Sequence, residues 1–228
     1  MAAQAAVGVF VSGRRVENNT VLETGERARL VAGLLAELTA AVPGSTALPR
    51  GSLAEGRADI YSDIDLLWDV PDVAFDAAIS ELPAILERVR QVASLRFDPD
   101  FQHSAKRRLA FVRFAGVPLF WRVDLDIFAR SAGRDPDYDR DNPSARGTSV
   151  SRAESSLANA IAAIKAQRRG REYEATELLA RAEARVGVAS PAVDLQSRIN
   201  LLLDAVVAKD PTVASLAADI QRLLTKML

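Results

Sequence analysis

The sequence contains no cysteine and a single histidine, His103, among its 228 residues. The absence of cysteine excludes disulfide bonds, thiolate metal sites, iron–sulfur clusters and a cysteine nucleophile. A single histidine excludes metal sites that are built from several imidazoles. Any chemistry that the chain performs must therefore use carboxylates, hydroxyls, lysines and arginines.

The sequence also lacks an excess of either charge and a long hydrophobic run. Lys and Arg number 29 and Asp and Glu number 30, which gives a net charge of −1. This balance offers no general attraction to nucleic acid or to an anionic membrane, so neither is expected as a partner. No stretch approaches the roughly 18 apolar residues of a membrane span. The short apolar run at residues 5–11 has no positive charge before it, unlike a secretory signal, so we expect a cytoplasmic protein.

The N-terminal part of the chain mixes helix and strand patterns. The patterns predict, in chain order, a helix from after Thr24 to residue 42, strands at 46–48 and 64–70, a helix over 72–96 with Pro83 as a boundary or kink, and a hairpin over 107–128. Within that hairpin, residues 121–127 alternate strictly between apolar and polar side chains, which predicts a strand with one buried face.

Beyond about residue 145 every pattern is helical. The signals that separate the helices are the capping box of Ser151 and Glu154, Gly187 as a C-terminal cap, and the Ser-Pro and Asp-Pro pairs at 190–191 and 210–211. We therefore predict an α+β fold in two domains. Residues 1–145 would form a small mixed-sheet domain with flanking helices, and residues 146–228 an all-α bundle of four helices.

Two aspartates, Asp63 and Asp65, stand two positions apart at the start of an apolar strand, so both project from one face. Two like charges about 4 Å apart repel by roughly 1 kcal/mol in water and by several-fold more when partly desolvated. A fold that builds such a pair needs a counter-charge, and Mg²⁺ is the economical candidate because it binds through a few carboxylates and substrate phosphates. Just before the strand, Gly51-Ser52 would let the backbone approach a phosphate closely and donate hydrogen bonds to it.

These residues resemble the signature of the DNA polymerase beta-like nucleotidyltransferase superfamily. Gly51-Ser52 is followed by ten residues and then by Asp63-Ile64-Asp65-Leu66, as in that signature. The later run Arg122-Val123-Asp124-Leu125 is similar to the surroundings of the superfamily's third carboxylate, and Asp126, on the same face, is the alternative. The layout of a catalytic domain followed by a helical bundle resembles the small antibiotic (aminoglycoside) nucleotidyltransferases.

The resemblance implies that two Mg²⁺ ions support transfer of a nucleoside monophosphate to a hydroxyl of a small-molecule acceptor such as an aminoglycoside-type antibiotic. The donor would be ATP or another nucleoside triphosphate. The residues that it implies as metal ligands and catalytic groups are Asp63, Asp65 and Asp124. Those that it implies for nucleotide binding are Gly51, Ser52, Ser62 and the helical Lys165. Dimers are common among similar proteins, so a homodimer stays open.

Other interpretations of these residues remain open from the sequence. Asp63 and Asp65 would also suit a solvated strand edge, Asp124 a polar sheet face neutralised by Arg122, and Lys165 a helix–helix seam. The acceptor could instead be a protein partner, as in antitoxins that adenylylate a toxin, or the chain could bind a nucleotide without turnover. Nothing in the sequence identifies the acceptor or the nucleotide base.

Overall fold

The computed structural model describes residues 11–147, 151–188, 190 and 194–227, with side chains between residues 25 and 225. These residues form two compact units. The first unit consists of the described residues up to Phe97 with Lys106–Ala115 and Trp121–Tyr138, and the second consists of Asp98–Ala105, Gly116–Phe120 and the described residues from Asp139 onward. The domain boundary after residue 145 stays a prediction.

A five-stranded sheet is the centre of the first unit. Its strands are β1 (Thr46–Pro49), β2 (Ile64–Val70), β3 (Val92–Phe97), β4 (Arg107–Phe114) and β5 (Val123–Ala129). They lie in the order β1-β2-β5-β4-β3, with β2 and β5 parallel and every other pair of neighbours antiparallel. The predicted strands at 46–48 and 64–70, the hairpin of β4 and β5, and the α+β class with a mixed sheet are confirmed.

Three helices accompany this sheet: α1 (Val11–Ala41), the four-residue α2 (Gly51–Ala54) and α3 (Phe75–Val89). α1 and α3 pack against each other. Leu34 and Leu38, one turn apart on α1, are fully buried, as the apolar stripe predicts. A Cβ at Gly33 would stand 3.3 Å from the Val89 side chain, so glycine allows the two helices to approach closely.

The sequence-based helix predictions in this unit are wrong in extent. Residues from Val11 onward are already helical in α1, so the helix does not start after Thr24 and Thr24 is not its cap. The region 72–96 is not one helix, since Val92–Phe97 forms strand β3. This segment pairs with β4, and tertiary pairing overrides the local helical pattern. Pro83 lies inside α3 on its exposed side and does not end the helix.

The second unit contains four further α-helices: α4 (Arg152–Arg168), α5 (Glu172–Val186), α6 (Leu195–Lys209) and α7 (Ala214–Met227). The predicted cap of α4 is confirmed, because the Ser151 hydroxyl accepts a hydrogen bond from the Glu154 amide at 3.0 Å. Gly187 ends α5 in the left-handed conformation, also as predicted. α6 begins after Asp194, and the Ser-Pro start predicted at 190–191 falls partly outside the described residues.

Apolar side chains at helical spacing build the core of this second unit. The fully buried residues on α6 are Ile199, Leu202 and Val206, and Ile220 is buried on α7. Over the part of the chain that the structure describes, no helix has the length and apolar composition that crossing a membrane requires.

Candidate active site

The three predicted carboxylates come from the amino-terminal ends of two neighbouring parallel strands. Asp65 of β2 lies directly opposite Asp124 of β5. Asp63 comes just before β2, where the Ile64 amide donates a hydrogen bond of 2.9 Å to the Arg122 carbonyl and fixes the register. Because side chains alternate along a strand, Asp63, Asp65 and Asp124 stand on one face of the sheet. The structure thus brings these three residues, the carboxylate cluster, to one face of the sheet.

The Gly-Ser turn lies against this cluster. The Arg50 amide donates a hydrogen bond of 2.8 Å to the carbonyl of Asp65, which ties the start of α2 to β2. Gly51 has a φ of 53°, and a Cβ on it would stand 2.8 Å from Oδ2 of Asp65. Glycine is required here both for the left-handed backbone and for the close approach of the carboxylate.

Arg122 supplies a counter-charge from within the chain. Its Nε and Nη2 donate two hydrogen bonds, each of 2.6 Å, to the two carboxylate oxygens of Asp124. Its Nη2 also lies 3.9 Å from Oδ2 of Asp63. The guanidinium rests over the Phe111 ring, 4.9 Å from its centroid, in the geometry of a cation–π contact. One arginine therefore neutralises part of a site that carries three carboxylates.

The surroundings of Asp65 and Arg122 shift the pKa of each group. Burial raises the pKa of Asp65, and the negative charges of Asp124 and Asp63 raise it further, against the smaller opposing effects of Arg122 and Arg50. Burial lowers the pKa of Arg122, but its hydrogen bond and its attraction to Asp124 outweigh that effect and leave the pKa raised. The two arginines therefore do not offset the burial and the neighbouring negative charges at Asp65.

The chemistry of the donor set fits Mg²⁺, which takes carboxylate oxygens and substrate phosphates as ligands. The excess negative charge that raises the pKa of Asp65 is what a divalent cation would relieve. Within the described ranges, no group of three or more His, Cys, Asp or Glu side chains is arranged as a metal site. In the arrangement shown, both oxygens of Asp124 accept from Arg122.

Asp126, the alternative third carboxylate, has a different environment. It lies opposite Leu67, one step further along the same face, and its side chain is 8% exposed. Nε of Arg107 donates to its Oδ1 at 3.1 Å, and Nη2 donates to its Oδ2 at 3.2 Å. Nη1 of Arg50 adds a bond of 2.8 Å to Oδ2. Two arginines therefore hold both of its oxygens.

The two serines predicted to bind nucleotide occupy different settings. Ser52 lies half-buried in α2, directly after Gly51. Ser62 is buried, and its hydroxyl donates to Oδ1 of Asp59 at 2.9 Å and accepts from the Asp59 amide at 3.0 Å. The hydroxyl of Ser62 thus closes the turn that leads into β2, and its nucleotide-binding role stays a prediction.

Lys165, the remaining predicted nucleotide ligand, belongs to α4 in the second unit. Its side chain is buried, and its ammonium group lies 5.9 Å from the centroid of the Phe120 ring in the same unit. Phe120 lies in the connection between β4 and β5, so this contact of Lys165 is with a loop and not with a second helix. The predicted contact of Lys165 with a triphosphate stays a prediction.

Sequence reasoning treated Arg122 only as a neutralising neighbour and missed Arg50 altogether. Strand alternation predicts that Arg122, two residues before Asp124, lies on the same face as Asp124, so their contact can be expected from the sequence. Arg50 offers no such signal, because its partner Asp126 is 76 residues away in the chain. Only the fold shows that contact.

No family model matches the sequence, and no curated protein matches it. Among solved structures, the chain is similar to one in the structure of the GLD-2/RNP-8 complex, with 15% sequence identity and a TM-score of 0.38. The alignment covers 69% of this chain and 56% of that chain, so it spans little more than half of the solved protein. A likeness of this extent says nothing about activity, and the function must be argued from the site.

Proposed function

We propose that the chain is a Mg²⁺-dependent nucleotidyltransferase that moves a nucleoside monophosphate from ATP, or from another nucleoside triphosphate, to a hydroxyl of a small-molecule acceptor such as an aminoglycoside-type antibiotic. One observation carries the proposal. Asp65 and Asp124 lie opposite each other on adjacent parallel strands, Asp63 comes just before β2, and a Cβ on Gly51 would stand 2.8 Å from the Asp65 carboxylate. Carboxylates beside a glycine turn that exposes backbone amides suit a metal-bound triphosphate.

The carboxylate cluster would hold the metal ions. Asp63 and Asp65 are the main ligands proposed for the ion that accompanies the triphosphate, and Asp124 for the second. Bound Mg²⁺ would neutralise phosphate charge and lower the pKa of the acceptor hydroxyl. The excess negative charge at Asp65 supports a cation there. The double hydrogen bond from Arg122 fixes the orientation of the Asp124 carboxylate.

The Gly-Ser turn would bind the β- and γ-phosphates. With no Cβ at Gly51, the backbone can approach a phosphate as closely as it approaches Asp65. The hydroxyl of Ser52 can donate a further hydrogen bond. The hydrogen bond from the Arg50 amide to Asp65 keeps the turn at a fixed distance from the carboxylate cluster, so phosphate and metal sites would be preorganised together.

Asp124 is a better candidate for the third ligand than Asp126. It faces Asp65 across the parallel pair, whereas Asp126 faces the apolar Leu67. Both aspartates are held by arginine, but the Asp126 side chain is the more buried, at 8% exposed against 20% for Asp124. Withdrawing Asp126 to bind a metal would take its carboxylate away from the buried guanidinium of Arg107, which is costly.

The transfer itself requires little further chemistry from the protein. The acceptor oxygen would form a bond to the α-phosphorus while the bond between that phosphorus and the bridging oxygen of the pyrophosphate breaks. Pyrophosphate leaves with its electron pair, and the proton of the acceptor hydroxyl passes to a nearby base, for which the carboxylate of Asp124 is the candidate. The acceptor becomes a nucleoside monophosphate ester.

The test is pyrophosphate release with Mg²⁺ and each nucleoside triphosphate across a panel of aminoglycosides and lincosamides. Asp63→Asn is the blank and is expected to lose at least about a hundredfold in turnover, since even outer-shell partners of metal sites cost 10–100-fold. Asp76→Asn, an exposed aspartate at the start of α3, is the matched control and should behave as the wild type. Normal turnover by Asp63→Asn would contradict the proposal.

The contact between Arg122 and Asp124 favours one alternative, a module that binds a nucleotide without turnover. The Arg122 guanidinium binds both carboxylate oxygens of Asp124, which are the oxygens that a second metal ion would need as ligands. This alternative predicts Mg²⁺-dependent nucleotide binding but no pyrophosphate release with any acceptor. Release with a protein acceptor but with no small molecule would instead point to modification of a partner protein.

A further inference from the structure

The pairing of Arg50 with Asp126 connects the Gly-Ser turn to the interior of the sheet. Nη1 of Arg50 donates to Oδ2 of Asp126 at 2.8 Å, over a separation of 76 residues. The Arg50 side chain is 39% exposed and that of Asp126 is 8% exposed. A charge-assisted bond to a buried acceptor is stronger than a surface ion pair, so this contact can hold a turn in place.

Asp126 is itself a fixed anchor. Arg107, 6% exposed, holds it with two hydrogen bonds along the antiparallel pair of β4 and β5. The Arg107 guanidinium also lies 5.1 Å from the centroid of the Phe128 ring. Asp126 therefore has one arginine that is locked into the sheet and one, Arg50, that leads to the turn.

Arg50 carries the connection to the phosphate-binding residues. Its amide donates to the Asp65 carbonyl, and its carbonyl accepts the Ala54 amide at 3.3 Å, the first helical bond of α2. Gly51 follows directly and, because it has no Cβ, leaves room for the Asp65 carboxylate. The position of α2 relative to β2 thus depends on a residue whose side chain is held by Asp126.

We propose that Asp126 is a positioning residue, which acts through Arg50 to hold the Gly-Ser turn against Asp65 and so prepares the turn to receive a triphosphate. The proposal rests on the proposed function, in which that turn binds the β- and γ-phosphates. It assigns Asp126 a role in nucleotide binding without contact to metal or nucleotide.

A second buried aspartate in the same unit provides a matched control. Asp69, at the other end of β2, is 7% exposed and pairs with Arg130 at 3.1 Å and with Arg134 at 2.8 Å. Arg130→Gln therefore removes the same kind of bond from the same kind of partner as Arg50→Gln does. The difference is that Arg130 donates to the carbonyl of Gly44 and not to the Gly-Ser turn.

The experiment measures hydrogen exchange at the amides of Ala54 and Glu55 in the full-length, nucleotide-free protein, together with KM and kcat for MgATP. Both amides bond within α2 and report its order. In Arg50→Gln we expect exchange to be faster by about tenfold, the loss expected for a charge-assisted hydrogen bond. KM should rise by a similar factor and kcat should change less. Arg50→Lys should recover most of both, and Arg130→Gln should change neither.

Two outcomes would overturn this inference: unchanged exchange in Arg50→Gln, or a fall in kcat with KM unchanged.

Asp126→Asn distinguishes a positioning residue from a metal ligand. A positioning residue should reproduce the effect of Arg50→Gln, and the double variant of Arg50→Gln with Asp126→Asn should show no larger effect. A loss of Mg²⁺ affinity in Asp126→Asn but not in Arg50→Gln would make Asp126 a ligand and contradict the role proposed. Failure of the wild-type protein to bind MgATP would instead contradict the proposed function, and the exchange measurement would still decide the Arg50–Asp126 contact.

Discussion

The ionised Asp65 carboxylate reduces the stability of the folded, metal-free chain. It is partly buried and stands near the negative charges of Asp63 and Asp124, while Arg122 is committed to Asp124. Its raised pKa means that the folded, metal-free protein would be more stable with Asp65 protonated. Functional sites commonly retain such unfavourable arrangements because the ligand relieves them.

Asp65→Asn is therefore expected to raise the melting temperature of the metal-free protein at neutral pH. A group whose pKa is higher in the folded state than in the unfolded chain favours folding below its unfolded pKa, about 3.9 for Asp, and loses that contribution as the pH rises through the folded pKa. Asn removes the cost at neutral pH, and the gain should vanish as the pH falls below both values. Thermal unfolding in EDTA across pH measures this, and a lower melting temperature at pH 7 would contradict it.

Gly51→Ala tests the close approach of the turn to Asp65. Alanine at a positive φ costs about 1–2 kcal/mol from backbone strain alone. The Cβ at residue 51 would in addition collide with the Asp65 carboxylate. We expect loss of stability and loss of nucleotide-dependent activity together.

The matched control for that substitution is Gly56→Ala. Gly56 has a φ of 66° and nothing within 4 Å of a Cβ, so alanine there adds strain without a collision. Gly56→Ala should lower the free energy of unfolding, measured with urea, by about as much as backbone strain lowers it in Gly51→Ala. It should keep its activity. Equal activity in the two variants would mean that the turn does not contribute to the site.

At the scale of single residues, spacing predicts Asp63, Asp65 and the glycine turn before them, whereas only the resemblance to the nucleotidyltransferase signature favours Asp124 over Asp126. Alternation along a strand places Asp63 and Asp65 on one face, and the register of β2 with β5 then places Asp124 opposite Asp65. The arginines could not be assigned in this way. Their long side chains reach across strands, so the partners of Arg50 and Arg107 depend on the tertiary fold.

At the scale of elements, some local signals give the observed boundaries, whereas others, such as Thr24 and Pro83, do not. The apolar run of β2 and the Ser151 cap of α4 are local, and both are found where predicted. β3 was missed because its strand character depends on pairing with β4, with a register shift between Val92 and Ser94. Pro83 was overvalued as a boundary, since on the exposed side of α3 its ring costs one hydrogen bond without disturbing the core.

Pro83→Ala should therefore stabilise the first unit. Alanine restores the amide that proline lacks and removes the clash of its ring, for which the penalty in a helix interior is about 3 kcal/mol. Alanine also gives the unfolded chain more conformational freedom than proline does, which offsets about 0.4–1 kcal/mol of this gain in stability. We expect an increase in the free energy of unfolding, measured with urea, while Glu81→Ala on the same helix stays within about 0.5 kcal/mol. A decrease in Pro83→Ala would contradict this account of α3.

At the scale of the whole molecule, the sheet unit contains the carboxylate cluster and the Gly-Ser turn, and the helical unit contains Lys165. The proposed acceptor site has no sequence motif, because an acceptor pocket depends on shape and not on a fixed set of catalytic groups. The α+β class was predictable from periodicity, whereas the composition of the two units was not, since Asp98–Ala105 and Gly116–Phe120 join the helical unit only through tertiary contacts.

The central claim is that the carboxylate cluster and the Gly-Ser turn form one site for a metal-bound triphosphate. The most direct test is calorimetric titration of the wild-type protein, Asp63→Asn and Asp76→Asn with ATP in the presence and absence of Mg²⁺. We expect saturable, Mg²⁺-dependent binding of ATP to the wild type and to Asp76→Asn. At a ligand concentration of 100 Kd this binding should raise the free energy of unfolding by about 2.7 kcal/mol. Asp63→Asn should lose both the binding and the stabilisation. Binding that is independent of Mg²⁺, or equal in all three proteins, would contradict it.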